Sequence, residues 1–192
     1  KVPEGDDILL AWARQLAADD RLPHHRVVAT VMSNFGLERA LHRDAIDLRR
    51  CAVGDRWVWQ AMRQHEAALG GEQSGHVICA HHAVSGDGLL TGSQLFAIAA
   101  RRGLPLSALS DLERFPQVLI NVPVRHKAPF ETLPPVHREL IGAEAKLQGR
   151  GRVLLRYSGT EALARVMIEG EDAAEINALA EQLAATIARE LG

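Results

Sequence analysis

Arg156-Tyr157-Ser158-Gly159-Thr160-Glu161 gathers within six residues the donors that a phosphate needs. An arginine presents a bidentate fork to a phosphate oxygen pair. Ser158 and Thr160 add hydroxyl donors, and Gly159 lets the backbone turn so that successive N–H groups converge on an anion. On spacing alone the run also reads as a tight turn with an incidental arginine. Upstream, Gly70-Gly71-Glu72-Gln73-Ser74-Gly75-His76 sets a carboxylate and a hydroxyl two residues apart among three glycines. Two such groups facing one side can read adjacent sugar hydroxyls as acceptor and donor. The plain alternative is a solvated turn before a strand at Val77–Cys79. Ser85-Gly86-Asp87-Gly88 reads first as a helix cap, with proximity to a ligand as the alternative. Val53-Gly54-Asp55-Arg56 is a further glycine turn opening a helix, where Arg56 stands either as a phosphate contact or as a surface arginine.

Elements must position these loops. The 192 residues suit one or two domains, and 47% apolar with 24% charged residues can bury an ordinary core. The net charge of −2 supplies no general field for nucleic acid or an anionic membrane. No apolar run reaches the ~18 residues of a membrane span, and the opening residues do not read as a signal peptide. Only Lys1, Lys127 and Lys146 are lysines among 22 basic residues, a bias that reads as genomic composition. Cys51 and Cys79 lack CxxC spacing and read as buried free thiols in a reducing cytoplasm. His24-His25 and His81-His82 lack zinc-site spacing, and there is no Walker loop, dinucleotide fingerprint or Asp-rich magnesium loop. The start at Lys1 without methionine suggests a processed or truncated piece.

Alternating periodicities predict an α/β domain over 1–103. It has a first helix capped by an Asp, a buried strand at Arg26–Val31, a helix through Leu37–Leu41 and a short strand near Ala45–Leu48. A helix over Arg56–Glu66, a strand over His76–Ala80 and a helix over Leu89–Arg101 complete a mostly parallel layer structure. Composition shifts at Gly103-Leu104-Pro105, which marks 104–114 as a linker and predicts rotation about it. Residues 115–192 then read β-α-β-β-α. Strands lie at Gln117–Val124, Arg152–Arg156 and Leu163–Glu169, with helices at Leu133–Leu147 and from Asp172 onward, a small α+β sandwich.

Taken in order, Asn34-Phe35-Gly36-Leu37-Glu38, Val53-Gly54-Asp55-Arg56-Trp57-Val58, the Glu72-Gln73-Ser74-Gly75-His76 loop, Gly86-Asp87-Gly88 and Arg156 through Glu169 resemble the α-D-phosphohexomutase superfamily. The Glu-Gln-Ser-Gly-His form and the Gly-Asp-Arg turn are most similar to its phosphoglucosamine mutase branch. The resemblance implies the third and fourth of four domains, with 1–7 as the tail of the second. It implies interconversion of glucosamine 6-phosphate and glucosamine 1-phosphate in the cytoplasm through glucosamine 1,6-bisphosphate. A phosphoserine in the first domain and a Mg2+ loop in the second would do the chemistry, and neither lies in this chain, so it holds no catalytic residue and no metal ligand. Glu72 and Ser74, with His76, would hold sugar hydroxyls. Arg156, Ser158, Gly159 and Thr160 would grip the unreacting phosphate, with Arg56 close by. A homodimer of the full-length enzyme is also implied.

The alternatives are a phosphomannomutase or phosphoglucomutase, which more often show Met where Gln73 stands, and a non-catalytic phosphosugar-binding module. Ala162 departs from the family's proline, and Arg125-His126-Lys127-Ala128-Pro129-Phe130 reads as loop variation away from the site.

Overall fold

The computed structural model describes residues 2–192, and the chain divides into two compact units, one ending at Arg114 and the other spanning Phe115–Gly192. In the first unit, β1 (Arg26–Thr30), β2 (Asp47–Cys51), β3 (Leu69–Gly71) and β4 (Val77–Cys79) form a sheet in the order β2-β1-β3-β4. β1 runs parallel to both neighbours, and only the β3–β4 pair is antiparallel. Alternation along β1 divides the helices between the faces. Val27 and Ala29 join the core formed with α1 (Gly5–Ala18), α2 (Phe35–Arg43) and α4 (Gly88–Arg102). Val28 points the other way, to Val58, Ala61 and Met62 of α3 (Asp55–Gln64).

Because β1 leads to α2 on one face and β2 leads to α3 on the other, the chain parts at the carboxyl ends of these two strands. Open α/β sheets hold ligands in such a crevice. The loops leaving β1, β2 and β3 all emerge at this edge.

Three local outcomes differ from the sequence reading. The residue capping α1 is Glu4 rather than an aspartate. Asp6 and Asp7 lie buried in the first turn, and Asp7 accepts from the Glu4 amide (3.1 Å) and from the Arg114 guanidinium (2.5 Å). Gly70 and Gly71, read as loop, are the buried strand β3. A Cβ on Gly70 would lie 2.8 Å from the Met62 sulfur, so this glycine lets α3 pack onto the sheet, while one on Gly71 would meet the His76 carbonyl oxygen at 2.7 Å. A side-chain periodicity cannot reveal a strand of that composition. Residues 104–114, read as linker, carry Leu109 and Leu112 into the first core.

The second unit is β5 (Gln117–Pro123), α5 (Pro134–Leu147), β6 (Gly151–Tyr157), β7 (Leu163–Gly170) and α6 (Ala173–Leu191), with an antiparallel sheet ordered β5-β7-β6. Prolines open α5, where their missing N–H is not needed. Asp172 caps α6 by accepting from the Ala174 and Glu175 amides. Val118, Ile120, Val153, Leu155, Val166 and Ile168 face both helices. By alternation Arg152, Leu154 and Arg156 occupy the opposite face of β6.

Candidate functional site

Each unit carries one group of polar loops. In the first, the β3–β4 hairpin presents Glu72 to His76 at its tip, closed by the Glu72 amide to the His76 carbonyl (2.9 Å) and the Gly75 amide to the Glu72 carbonyl (3.0 Å). Gly75 sits at φ +96°, a conformation L side chains rarely adopt. The Glu72 carboxylate accepts from the Gly54 amide at 2.7 Å and from the Ser74 hydroxyl at 3.2 Å. The Gly54 turn at the start of α3 is thereby tied to the hairpin. On the same tip, His76 Nε2 lies 3.6 Å from Asp55 Oδ2.

The Gly86 backbone closes the other side of this imidazole. A Cβ there would stand 2.5 Å from His76 Nε2, so any larger residue would push the ring out of this position. The same turn caps α4, with Asp87 accepting from the amides of Leu89 (2.9 Å) and Leu90 (3.0 Å). Beneath the hairpin, the Gly5 amide at the start of α1 donates to the Gln73 carbonyl (3.0 Å). The structure thus brings Glu72, Ser74 and His76 together with Asp55, which the sequence reading did not single out. The Gly-Asp pair directly after β2 is the signal that would have found it. Arg56 opens α3 beside them, its guanidinium 4.5 Å from the Trp57 ring centroid.

Cys51, at the end of β2, reports on this group. Burial, with the Glu72 carboxylate adding, pushes its thiol up to about 11. Folding therefore favours the protonated thiol, and the fold loses stability as pH rises above the ~8.5 of a free thiol. Alkylation at pH 8 is expected to be at least about tenfold slower than for a free cysteine, and Glu72→Gln should speed it. An unchanged rate in that variant would mean that the carboxylate does not face the thiol.

In the second unit, the β6–β7 hairpin turns through Ser158–Ala162. Antiparallel register sets Arg156 directly opposite Arg165 on the face turned away from the helices. Like charges held opposite each other disfavour the empty sheet. Burial, and then the charge of Arg165, accordingly lower the pKa of Arg156. Among the described residues, the buried Arg165 Nε has no hydrogen-bond partner, while its Nη2 donates to Glu161 at 2.7 Å. Arg165 is the second residue not singled out from sequence, although pairing the two predicted strands in register would have placed it.

Ser158 is buried, its hydroxyl donating to Glu161 (3.2 Å) and accepting from the Glu161 amide (3.3 Å), so it fixes the loop internally. Gly159 has no left-handed φ, and open space lies where a side chain would stand. Its smallness leaves the backbone uncovered rather than permitting a special turn. Thr160 is exposed beside it.

The segment read as distant from the site is packed against it. Lys127 Nζ donates to the Ser158 carbonyl at 2.6 Å, the Tyr157 hydroxyl donates to the Ala128 carbonyl at 2.5 Å, and Phe130 stacks on Tyr157 with centroids 4.2 Å apart. The antiparallel β5–β7 pairing folds residues 124–130 onto the loop, a long-range consequence that local composition does not carry.

Two family models match. Phosphoglucomutase/phosphomannomutase alpha/beta/alpha domain III covers residues 4–115, and the C-terminal domain of the same family covers 119–186. A phosphoglucosamine mutase of Nitratidesulfovibrio vulgaris is 50% identical over 189 residues, covering 98% of this chain and 42% of the relative. One from Solidesulfovibrio magneticus is 49% identical over 192 residues, covering 100% and 43%. The chain therefore spans about two fifths of the length of these curated relatives. Among solved structures, Aspergillus fumigatus N-acetylphosphoglucosamine mutase in complex with GlcNAc-6P and magnesium aligns with a TM-score of 0.73 at 19% identity, over 96% of this chain and 46% of that one.

Proposed function

The chain belongs to the phosphoglucomutase/phosphomannomutase family, carrying its domain III and C-terminal domain, and from that premise we propose that it supplies the sugar-hydroxyl and phosphate recognition of a phosphoglucosamine mutase. The observation that carries the reading is the pairing of Arg156 opposite Arg165, with the Arg165 Nε unpartnered among the described residues, on the hairpin that carries the open backbone of Gly159. That arrangement stores like-charge repulsion which an oxyanion relieves. The names of the bacterial relatives favour the amino-sugar branch.

In this reading the whole enzyme interconverts glucosamine 6-phosphate and glucosamine 1-phosphate through a bisphosphate, with the reacting serine outside these residues. Glu72 accepts from one sugar hydroxyl, Ser74 and His76 donate to or accept from others, and Arg156, Gly159 and Thr160 hold the phosphate that is not reacting, with the buried Ser158 setting the loop that presents them. Arg56 stands at the edge of the hydroxyl-reading group. A grip on one phosphate and on shared hydroxyls suits a sugar that binds in two orientations. Holding the remote phosphate also commits binding energy to positioning the reacting one. Mg2+ does not fit this chain. Among the described residues no group of three or more His, Cys, Asp or Glu could hold a metal ion, and in this reading the chain's part is to bind and orient.

Titration of the chain with glucosamine 6-phosphate, mannose 6-phosphate and inorganic phosphate, by calorimetry or NMR, tests this. Saturable binding is expected near millimolar, about 4 kcal/mol, with the glucosamine sugar preferred. Equal affinity for all three would remove the hydroxyl-reading role of Glu72 and Ser74. No saturable binding of any of them would overturn the proposal.

A further inference from the structure

We infer that Lys127 is a positioning residue for the bound phosphate, acting through the Ser158–Gly159 peptide. The inference rests on the reading of 156–160 as a phosphate loop. The Ser158 carbonyl and the Gly159 N–H belong to one planar unit and point in opposite directions across it. The Lys127 ammonium, 2.6 Å from that carbonyl oxygen, fixes the plane and so aims the Gly159 N–H to the far side. A charge-assisted bond to the oxygen also polarises the peptide, making the N–H a stronger donor to an anion.

The frame around the lysine is built rather than incidental. The Val124 amide donates to the Ala162 carbonyl (3.0 Å), the Tyr157 hydroxyl holds Ala128, and the buried Phe130 stacks on Tyr157 at 15° between ring planes. These contacts flank residue 127 on both sides. Lysine is also rare here, with 3 lysines among 22 basic residues. A compact ammonium with three donors can cap one carbonyl end-on and keep two donors free.

The test compares the 192-residue chain with Lys127→Met, Lys127→Arg and the charge-matched control Lys146→Met. Affinity for inorganic phosphate and the Gly159 amide shift on phosphate addition are measured together, with thermal denaturation to verify folding. Lys127→Met should lower phosphate affinity roughly 5- to 20-fold and shrink the Gly159 shift. Lys127→Arg should restore most of both, and Lys146→Met should change neither. Wild-type affinity in Lys127→Met, while Arg156→Ala loses binding, overturns the inference and leaves the phosphate loop standing. Weaker binding with a full Gly159 shift overturns it as well, since that is the signature of bulk charge alone. Undiminished binding in both Lys127→Met and Arg156→Ala removes the phosphate-loop reading and this inference with it.

Discussion

Arg156→Ala is expected to abolish saturable binding of inorganic phosphate and of glucosamine 6-phosphate by this chain. Each hydrogen bond to a charged group contributes about 1.5–3 kcal/mol, and a guanidinium supplies two in parallel. Losing roughly 3 kcal/mol moves a millimolar site beyond 100 mM, since each 1.4 kcal/mol is tenfold. The same substitution should leave the fold intact. Arg156 lies on the face of β6 turned away from the helices, so its truncation opens no cavity in the core they cover. Thermal stability within about 0.5 kcal/mol of wild type combined with lost binding is the expected pair of results. Normal binding in the variant would remove Arg156 from the phosphate site. An unfolded variant would make it a structural residue instead.

The largest effect on stability is expected four residues earlier on the same face of β6. Arg152 Nε meets Glu169 Oε2 at 2.5 Å, and the glutamate side chain is 0% exposed. Taking the arginine from a carboxylate so deeply buried costs about 3–5 kcal/mol, because the charge left behind loses its compensation. Arg152→Met should therefore destabilise the second unit by that amount, a large share of the 5–15 kcal/mol of an ordinary domain. Pairing it with Glu169→Leu should recover most of the loss, since well-packed apolar residues replace a buried ion pair at little cost. Urea denaturation of the two variants provides the comparison. A loss below about 1 kcal/mol in the single variant would mean that the pair behaves as a solvated one.

These two arginines show how unevenly the sequence disclosed the protein. Arg156 stands in a hexapeptide whose donors announce anion chemistry, whereas Arg152 carries no local sign of its buried partner seventeen residues on. Elements with strong side-chain periodicity, such as α4 and α6, were readable because their apolar residues recur at helical spacing. β3 was not, because Leu69-Gly70-Gly71 offers no alternation, and only the close approach of Met62 to Gly70 and of His76 and Val77 to Gly71 explains the glycines.

The sequence by itself determined the α/β unit followed by β-α-β-β-α, the family, and the two glycine-containing loops with Glu72, Ser74 and Arg156. The elements and loops follow from residue type and short spacing, which act locally, and the family from the resemblance of the motifs taken in order. Tertiary structure alone decided that Asp55 and Gly86 meet at His76, that Arg165 faces Arg156, and that Lys127 caps the Ser158 carbonyl. Each of these depends on strand register or on a helix packing across a sheet, contacts formed between residues distant in the chain. Hydrophobic burial and the ladder hydrogen bonds fix that register globally, so no short stretch of sequence contains it.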